Sequence, residues 1–165
     1  MPTSSDPQAY DRLLPKIREA LRDQFVGNLE KLPPLSELHY TFDQPLHGDG
    51  WHTRETDGRL YWRFTGPAST ATLYFARIVA NQRTLSLRVF HAVTPEHLDT
   101  LTVRYNGVPL TPACKSDGKL NYLIPELAFT ERDYTFIEIT TLQTKRPDSG
   151  DNRLLGIALS AIHVT

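Results

Sequence analysis

The chain has 165 residues with 18 basic and 19 acidic side chains, a formal net charge of −1, 39% hydrophobic and 22% charged residues. That length predicts a single core burying roughly two-thirds of the surface of the unfolded chain, and the near-average composition excludes wholesale disorder and fibrous repeats. Charges of both signs are scattered, so no basic stripe is available to displace counterions, and nucleic acid is not expected as a main partner.

Residues 1–7 are polar and expected to fray. They lack a signal-peptide core, and the longest apolar runs fall far short of the ~20 residues that cross a bilayer, so neither membrane insertion nor secretion is expected. From Tyr10 onward, Leu13, Leu14, Ile17, Leu21, Phe25, Leu29 and Leu32 recur at steps of three and four. That spacing predicts an amphipathic helix. Asp6-Pro7 offers an acidic cap with proline in the first turn, Pro15 marks a kink or a later start, and Pro33-Pro34 ends the helix. The stripe either packs on the chain's own sheets or docks onto a partner or a second copy, so homo-oligomerisation through the helix stays open. The organisation expected is a helical segment over 1–34 and a β domain over 35–165.

Beyond Pro34 the apolar period becomes two. Strands are predicted over 38–42, 59–64, 71–78, 84–90, 100–105, 119–124, 134–141 and 157–164, separated by Gly, Pro, Asn and Asp. Leu85, Leu87 and Val89 alternate with Ser86 and Arg88, the pattern of a strand buried on one face. Asn106-Gly107 predicts a tight turn, because both residues accept positive backbone dihedrals at low cost. Many short strands with no helices between them predict an antiparallel β-sandwich, jelly-roll-like, behind the N-terminal amphipathic helix. The single cysteine, Cys114, lies in an apparent turn and excludes an intramolecular disulfide, which fits a reducing, cytoplasmic compartment.

Signs of catalysis are absent from the pattern. There is no glycine-rich phosphate loop, no G-x-S-x-G elbow and no close histidine pair of the H-E-x-x-H kind, so no cofactor and no metal are expected. His47 and His52 around Asp49 are the nearest approach to a metal cluster, and Asp49 with Asp151 is a candidate calcium pair; the preferred readings are a polar loop for the first and a structured loop tying two strands together for the second. An enzymatic alternative pairs Glu55 with Asp49 or Asp151 as acid and base, at a separation that sequence spacing does not supply.

The densest feature is Gly48-Asp49-Gly50-Trp51-His52-Thr53-Arg54-Glu55, followed by Leu60-Tyr61-Trp62-Arg63-Phe64-Thr65-Gly66-Pro67. Indole faces stack on pyranose rings, and nearby carboxylates and guanidinium groups hydrogen-bond sugar hydroxyls. The candidate ligand-binding residues are therefore Trp51, Glu55, Arg59, Trp62 and Arg63. A second reading has Trp62 alternating into the core beside Leu60 and Phe64, Trp51 plugging one end of the sandwich, and Glu55, Arg59 and Arg63 forming a structural ion-pair network. A later loop, Arg146 to Leu159, adds Asp151 and Arg153, which either clamp two strands together or complete the site.

Taken in order, the G-W-x-x-x-E segment, Y-W-R-F-T-G-P, L-T-V-R-Y-N-G-V-P-L, Ile124-Pro125 and D-N-R-L-L-G-I-A-L resemble a β-sandwich accessory domain attached to bacterial glycosyltransferases and related proteins of surface-polysaccharide assembly. The match runs from Gly48 to Val164 and leaves out the helix. The resemblance implies a non-catalytic, carbohydrate-binding or scaffolding module whose partner is a glycan or a glycosyltransferase domain. Its recurring positions fall here on Trp51, Glu55, Trp62, Gly66, Asn106, Gly107, Asp151, Arg153 and Gly156. This chain carries no transferase domain, so it is either an excised fragment or acts in trans.

Overall fold

A computed structural model of the chain describes residues 7–79, 83–129 and 132–165. The chain is mainly β. Helix α1 (Pro7–Leu29) leads into β1 (Leu38–Thr41), β2 (Gly48–Asp49), β3 (Glu55–Thr56), β4 (Tyr61–Phe64), β5 (Thr70–Ala76) and β6 (Thr84–Ala92). A short α2 (Pro95–Asp99) precedes β7 (Thr102–Tyr105), β8 (Val108–Pro109), β9 (Thr111–Ser116) and β10 (Lys119–Leu123); a 3-10 turn (Glu126–Ala128) then leads to β11 (Tyr134–Thr140) and β12 (Ile157–Val164). The strands form two antiparallel sheets. The larger runs β3-β4-β12-β6-β10-β9, with β1 also paired to β12, and the smaller runs β2-β5-β11-β7-β8.

Two-residue alternation decides which side chains meet. Leu85 and Leu87 of β6 and Val103 and Tyr105 of β7 are buried, while Arg88, Thr102 and Arg104 between or beside them face water. The inward set of the larger sheet, including Leu85, Leu87, Ile157 and Leu159, joins Leu73, Val103, Ile137 and Ile139 of the smaller sheet in one cluster. Each such aliphatic side chain contributes about 1.5–3 kcal/mol when fully buried, so this shared layer is the main cohesive force.

The pairing of β6 with β12 slips twice, once opposite Phe90 and once at Ser160. Val89 and Ala92 both pack on the core. The intervening Phe90 and His91 therefore both fall on the outer face of the larger sheet, as a β-bulge allows and a regular strand does not.

All eight strands expected from alternation are present, with ends shifted by up to two residues. The structure adds β2, β3, β8 and β9. Residues 112–115 form part of edge strand β9, not a turn. All six residues of β9 are exposed, so no alternation is written into them, and an edge position accepts Pro112 because its missing N–H breaks no inner ladder. The Asn106-Gly107 turn is as expected, with φ of 51° and 83° joining β7 to β8.

Asp6, the expected helix cap, and the frayed segment before it lie outside the described residues. Helix α1 contains Pro15 and ends at Leu29, short of Leu32. The continuous apolar stripe is not shown: the side chains of Tyr10, Leu14, Leu21 and Phe25 are outside the described residues, and Leu13 and Ile17 are exposed. What ties the helix to the smaller sheet is Leu29, packed with Tyr74 and Tyr134, and Asp11, whose Oδ1 accepts from the Ser69 amide at 2.7 Å and the Ser69 hydroxyl at 2.9 Å. Among the described residues no helix is long and apolar enough to cross a membrane.

Candidate functional site

Antiparallel register brings together residues far apart in sequence at one end of the larger sheet. Glu55 on β3 sits directly across from Trp62 on β4, and Phe64 sits across from Ala158 on β12. Trp62 and Phe64 share a face two residues apart, and both pack with Leu155 and Ala158 in a cluster separate from the main core. The bulged Phe90 lies flat against Trp62, with ring centroids 4.0 Å apart and planes 14° apart. His91 meets the Phe64 ring edge-on at 6.1 Å. The result is an aromatic patch on the outer face, with Trp62 half-buried and Phe90 42% exposed.

Beside the patch, Arg153 binds two carboxylates. Its Nη2 donates to Asp151 Oδ2 at 2.6 Å and to Glu55 Oε1 at 3.1 Å, and its Nε donates to both Asp151 oxygens at 3.1 Å. The guanidinium also lies over the Phe64 ring, 5.7 Å from its centroid. One planar fork thus joins β3, the loop before β12 and the aromatic patch, a geometry that lysine does not reproduce. The other Glu55 oxygen, Oε2, is buried with no hydrogen-bond partner. An unsatisfied buried acceptor carries a desolvation cost of about 1–3 kcal/mol.

Of the two carboxylates, Asp151 is held firmly ionised. The Arg153 side-chain hydrogen bonds, with its backbone N–H, hold Asp151 at about 2, so it stays ionised and is the reverse of a general acid. Burial lowers His52, whose Nε2 lies 2.8 Å from the Leu154 carbonyl. A carbonyl only accepts, so Nε2 carries the proton in the neutral ring.

Both groups set an acid limit. Protonating His52 is easier unfolded than folded, so its contribution is complete above about pH 6.5 and declines below it; that of Asp151 is complete above 3.8 and is lost as pH falls toward 2. Denaturant midpoints measured from pH 8 to about 2 are expected to fall in that order. His163, lowered by burial, shares the upper step, and Asp57, lowered by the Leu60 and Arg59 amides, shares the lower one. Asp151→Asn is therefore expected to shrink the lower step and leave the upper one, and an unchanged lower step in that variant would contradict the assignment.

The remaining expected residues go elsewhere. Trp51 is half-buried against Phe42, 5.2 Å between ring centroids, and its indole N–H donates to the Thr72 carbonyl at 3.0 Å, so it caps the core. Arg59 sits in the turn between β3 and β4 and lines a separate cavity of about 190 Å³ with Asp43 and Tyr61. Arg63 alternates away from Trp62, and its Nη1 donates to the His52 carbonyl at 2.9 Å while its buried Nε has no partner. Asp49 is paired in β2 with Thr72 of the smaller sheet. Trp62 packs beside Phe64 as expected, but in the outer cluster and not in the main core, with Leu60 exposed. Phe90 escaped sequence reasoning because its place depends on a bulge that leaves no compositional mark.

Fold and cluster together define a protein of two antiparallel sheets sharing one core, with an ion-paired aromatic patch on the outer face of the larger sheet. The chain matches no protein-family model and no curated protein.

Proposed function

We propose that the chain is a non-catalytic carbohydrate-binding or scaffolding module: a jelly-roll-like sandwich that works beside a glycosyltransferase of bacterial surface-polysaccharide biosynthesis in the cytoplasm. The resemblance running from Gly48 to Val164 supplies the biosynthetic setting. The observation that supports glycan binding is the adjacency of the Trp62–Phe90 pair to the carboxylates and guanidinium of Glu55, Asp151 and Arg153. A pyranose laid against the indole would place its hydroxyls beside these groups.

Affinity electrophoresis in gels loaded with bacterial polysaccharides tests this reading. Wild type is expected to be retarded by at least one of them. Trp62→Ala, which removes the stacking face, is expected to lose about tenfold or more in affinity, the equivalent of ~1.4 kcal/mol. Equal migration of both proteins in every gel sinks the proposal.

A second reading rests on the exposure of Leu13 and Ile17 on α1. In it, the helix docks onto a partner domain or a second copy through these two side chains. Leu13→Ser with Ile17→Ser would then abolish association in sedimentation experiments while leaving glycan retardation unchanged.

A further inference from the structure

The outer face of the larger sheet continues past the aromatic patch as an ordered polar surface. Register places its side chains in cross-strand rows. One row runs His39 on β1, His163 on β12, Ser86 on β6 and Asn121 on β10. The next runs Ala161 on β12, Arg88 on β6 and Lys119 on β10. Beyond it, toward the end of the sheet held by β4, lie Phe90 and His91 with Trp62 and Phe64. A strand advances ~3.3 Å per residue, so the four residues from Ser86 to Phe90 span roughly 13 Å, the length of a short oligosaccharide.

Charge on this surface is one-sided. Most carboxylates near it are committed, Glu55 and Asp151 to Arg153 and Glu37 to His39 at 3.2 Å, while Asp43, at the β1 edge, accepts a hydrogen bond from the Thr41 hydroxyl. Arg88 and Lys119 are exposed, and among the described residues neither forms an ion pair. Asp117, in the turn between β9 and β10, makes no ion pair with Lys119. The His39 and His163 rings meet edge to face at 5.0 Å, and His163 feels both Arg88 and Lys119. Ser86 and Asn121 are joined by a hydrogen bond, and Asn121 Nδ2 also reaches Cys114 Sγ, so the row beside the paired cations is hydrogen-bonded, polar and uncharged.

We infer that this face binds an acidic polysaccharide, with a sugar ring against Trp62 and Phe90 and the carboxylates of neighbouring uronate residues on Arg88 and Lys119. The inference rests on the proposed glycan reading and narrows its ligand from any sugar to a polyanionic one. A neutral glycan would leave Arg88 and Lys119 unused. A polyuronate supplies carboxylates along a chain that the aromatic pair anchors at one end. Two cations in high dielectric give a salt-sensitive increment, and the stacking face gives a salt-insensitive one.

The test is titration calorimetry with polygalacturonate and with dextran, at about 20 and 300 mM salt, on wild type, Trp62→Ala and the double variant Arg88→Ala with Lys119→Ala. Both cations are exposed, so the double variant is expected to keep the wild-type melting temperature; Arg88→Glu with Lys119→Glu serves as a second, stronger variant. Polygalacturonate is expected to bind wild type and dextran at least tenfold more weakly. The preference is expected to shrink at high salt and to be lost in both charge variants, while Trp62→Ala weakens both glycans. If dextran binds as well as polygalacturonate and the charge variants behave as wild type, the acidic ligand is wrong and the glycan reading stands. If neither polymer nor any other glycan binds, the glycan reading falls and takes this inference with it. If single-stranded RNA binds the same face more tightly than polygalacturonate, the face is a general polyanion surface and the inference is overturned.

Discussion

Gly50→Ala is expected to destabilise the chain by about 3 kcal/mol or more, a substantial share of the ~5–15 kcal/mol that holds an ordinary domain folded. Gly50 has φ of +82°, and a Cβ built on it would stand 2.4 Å from the Thr70 carbonyl oxygen and 2.8 Å from the Ala71 Cα. Both are backbone atoms of β5 or its leading edge, so relief requires moving a central strand of the smaller sheet. Gly58 provides the control. Its φ is +90°, yet nothing lies within 4 Å of its virtual Cβ. Gly58→Ala is therefore expected to show backbone strain alone, about 1–2 kcal/mol. Paired denaturation curves measure the difference, and equal midpoints for the two variants would contradict a close approach at Gly50.

Asn106→Ala is expected to cost roughly 3 kcal/mol, because one side chain holds two buried backbone groups and a left-handed residue at once. Asn106 Nδ2 donates to the Ala128 carbonyl at 2.9 Å, and its Oδ1 accepts from the Phe136 amide at 2.9 Å. The Asn106 amide in turn donates to the Phe136 carbonyl at 2.7 Å. The turn, the 3-10 segment and β11 are thereby joined through one residue. Asn106→Gly separates the contributions: it relieves the positive φ while losing both side-chain bonds. It is expected to recover only about 1 kcal/mol relative to alanine. Full recovery in the glycine variant would show that the hydrogen bonds contribute little.

These two residues also show what was legible in the sequence. Asn106-Gly107 announces a turn because only such residues tolerate two successive positive dihedrals. The second role of Asn106, clasping strands through its amide, depends on tertiary neighbours and is invisible in one dimension. Gly48, Gly50 and Trp51 drew attention as a possible ligand loop, yet the glycines are there because β5 passes too close for a side chain. A Cβ on Gly48 would lie 2.0 Å from the Thr72 carbonyl oxygen, the same oxygen that receives the Trp51 indole N–H. That motif builds the fold.

The candidate site was legible in part. Glu55, Trp62, Asp151 and Arg153 are brought together by register across nearly a hundred residues, and their chemical types alone had marked them. Arg63 carries the same chemistry but faces the other way from Trp62, because period two sends every second residue of a strand to the opposite side, and Arg59 falls in the turn before β4, outside any strand. Phe90 required the bulge in β6, and Arg88 with Lys119 required the pairing of β6 with β10. Both are matters of which strand lies next to which, and alternation within a strand does not contain that information.

The central claim is that glycan meets the outer face at Trp62 and not the capped indole of Trp51. The two tryptophans give separate indole N–H resonances, so a single titration by heteronuclear NMR, with a glycan that wild type binds, compares them directly. The account predicts a large shift of the Trp62 indole signal, accompanied by the side-chain Nε–H of Arg153, and a Trp51 signal that stays in place. A Trp51 resonance that moves while Trp62 remains still would contradict it.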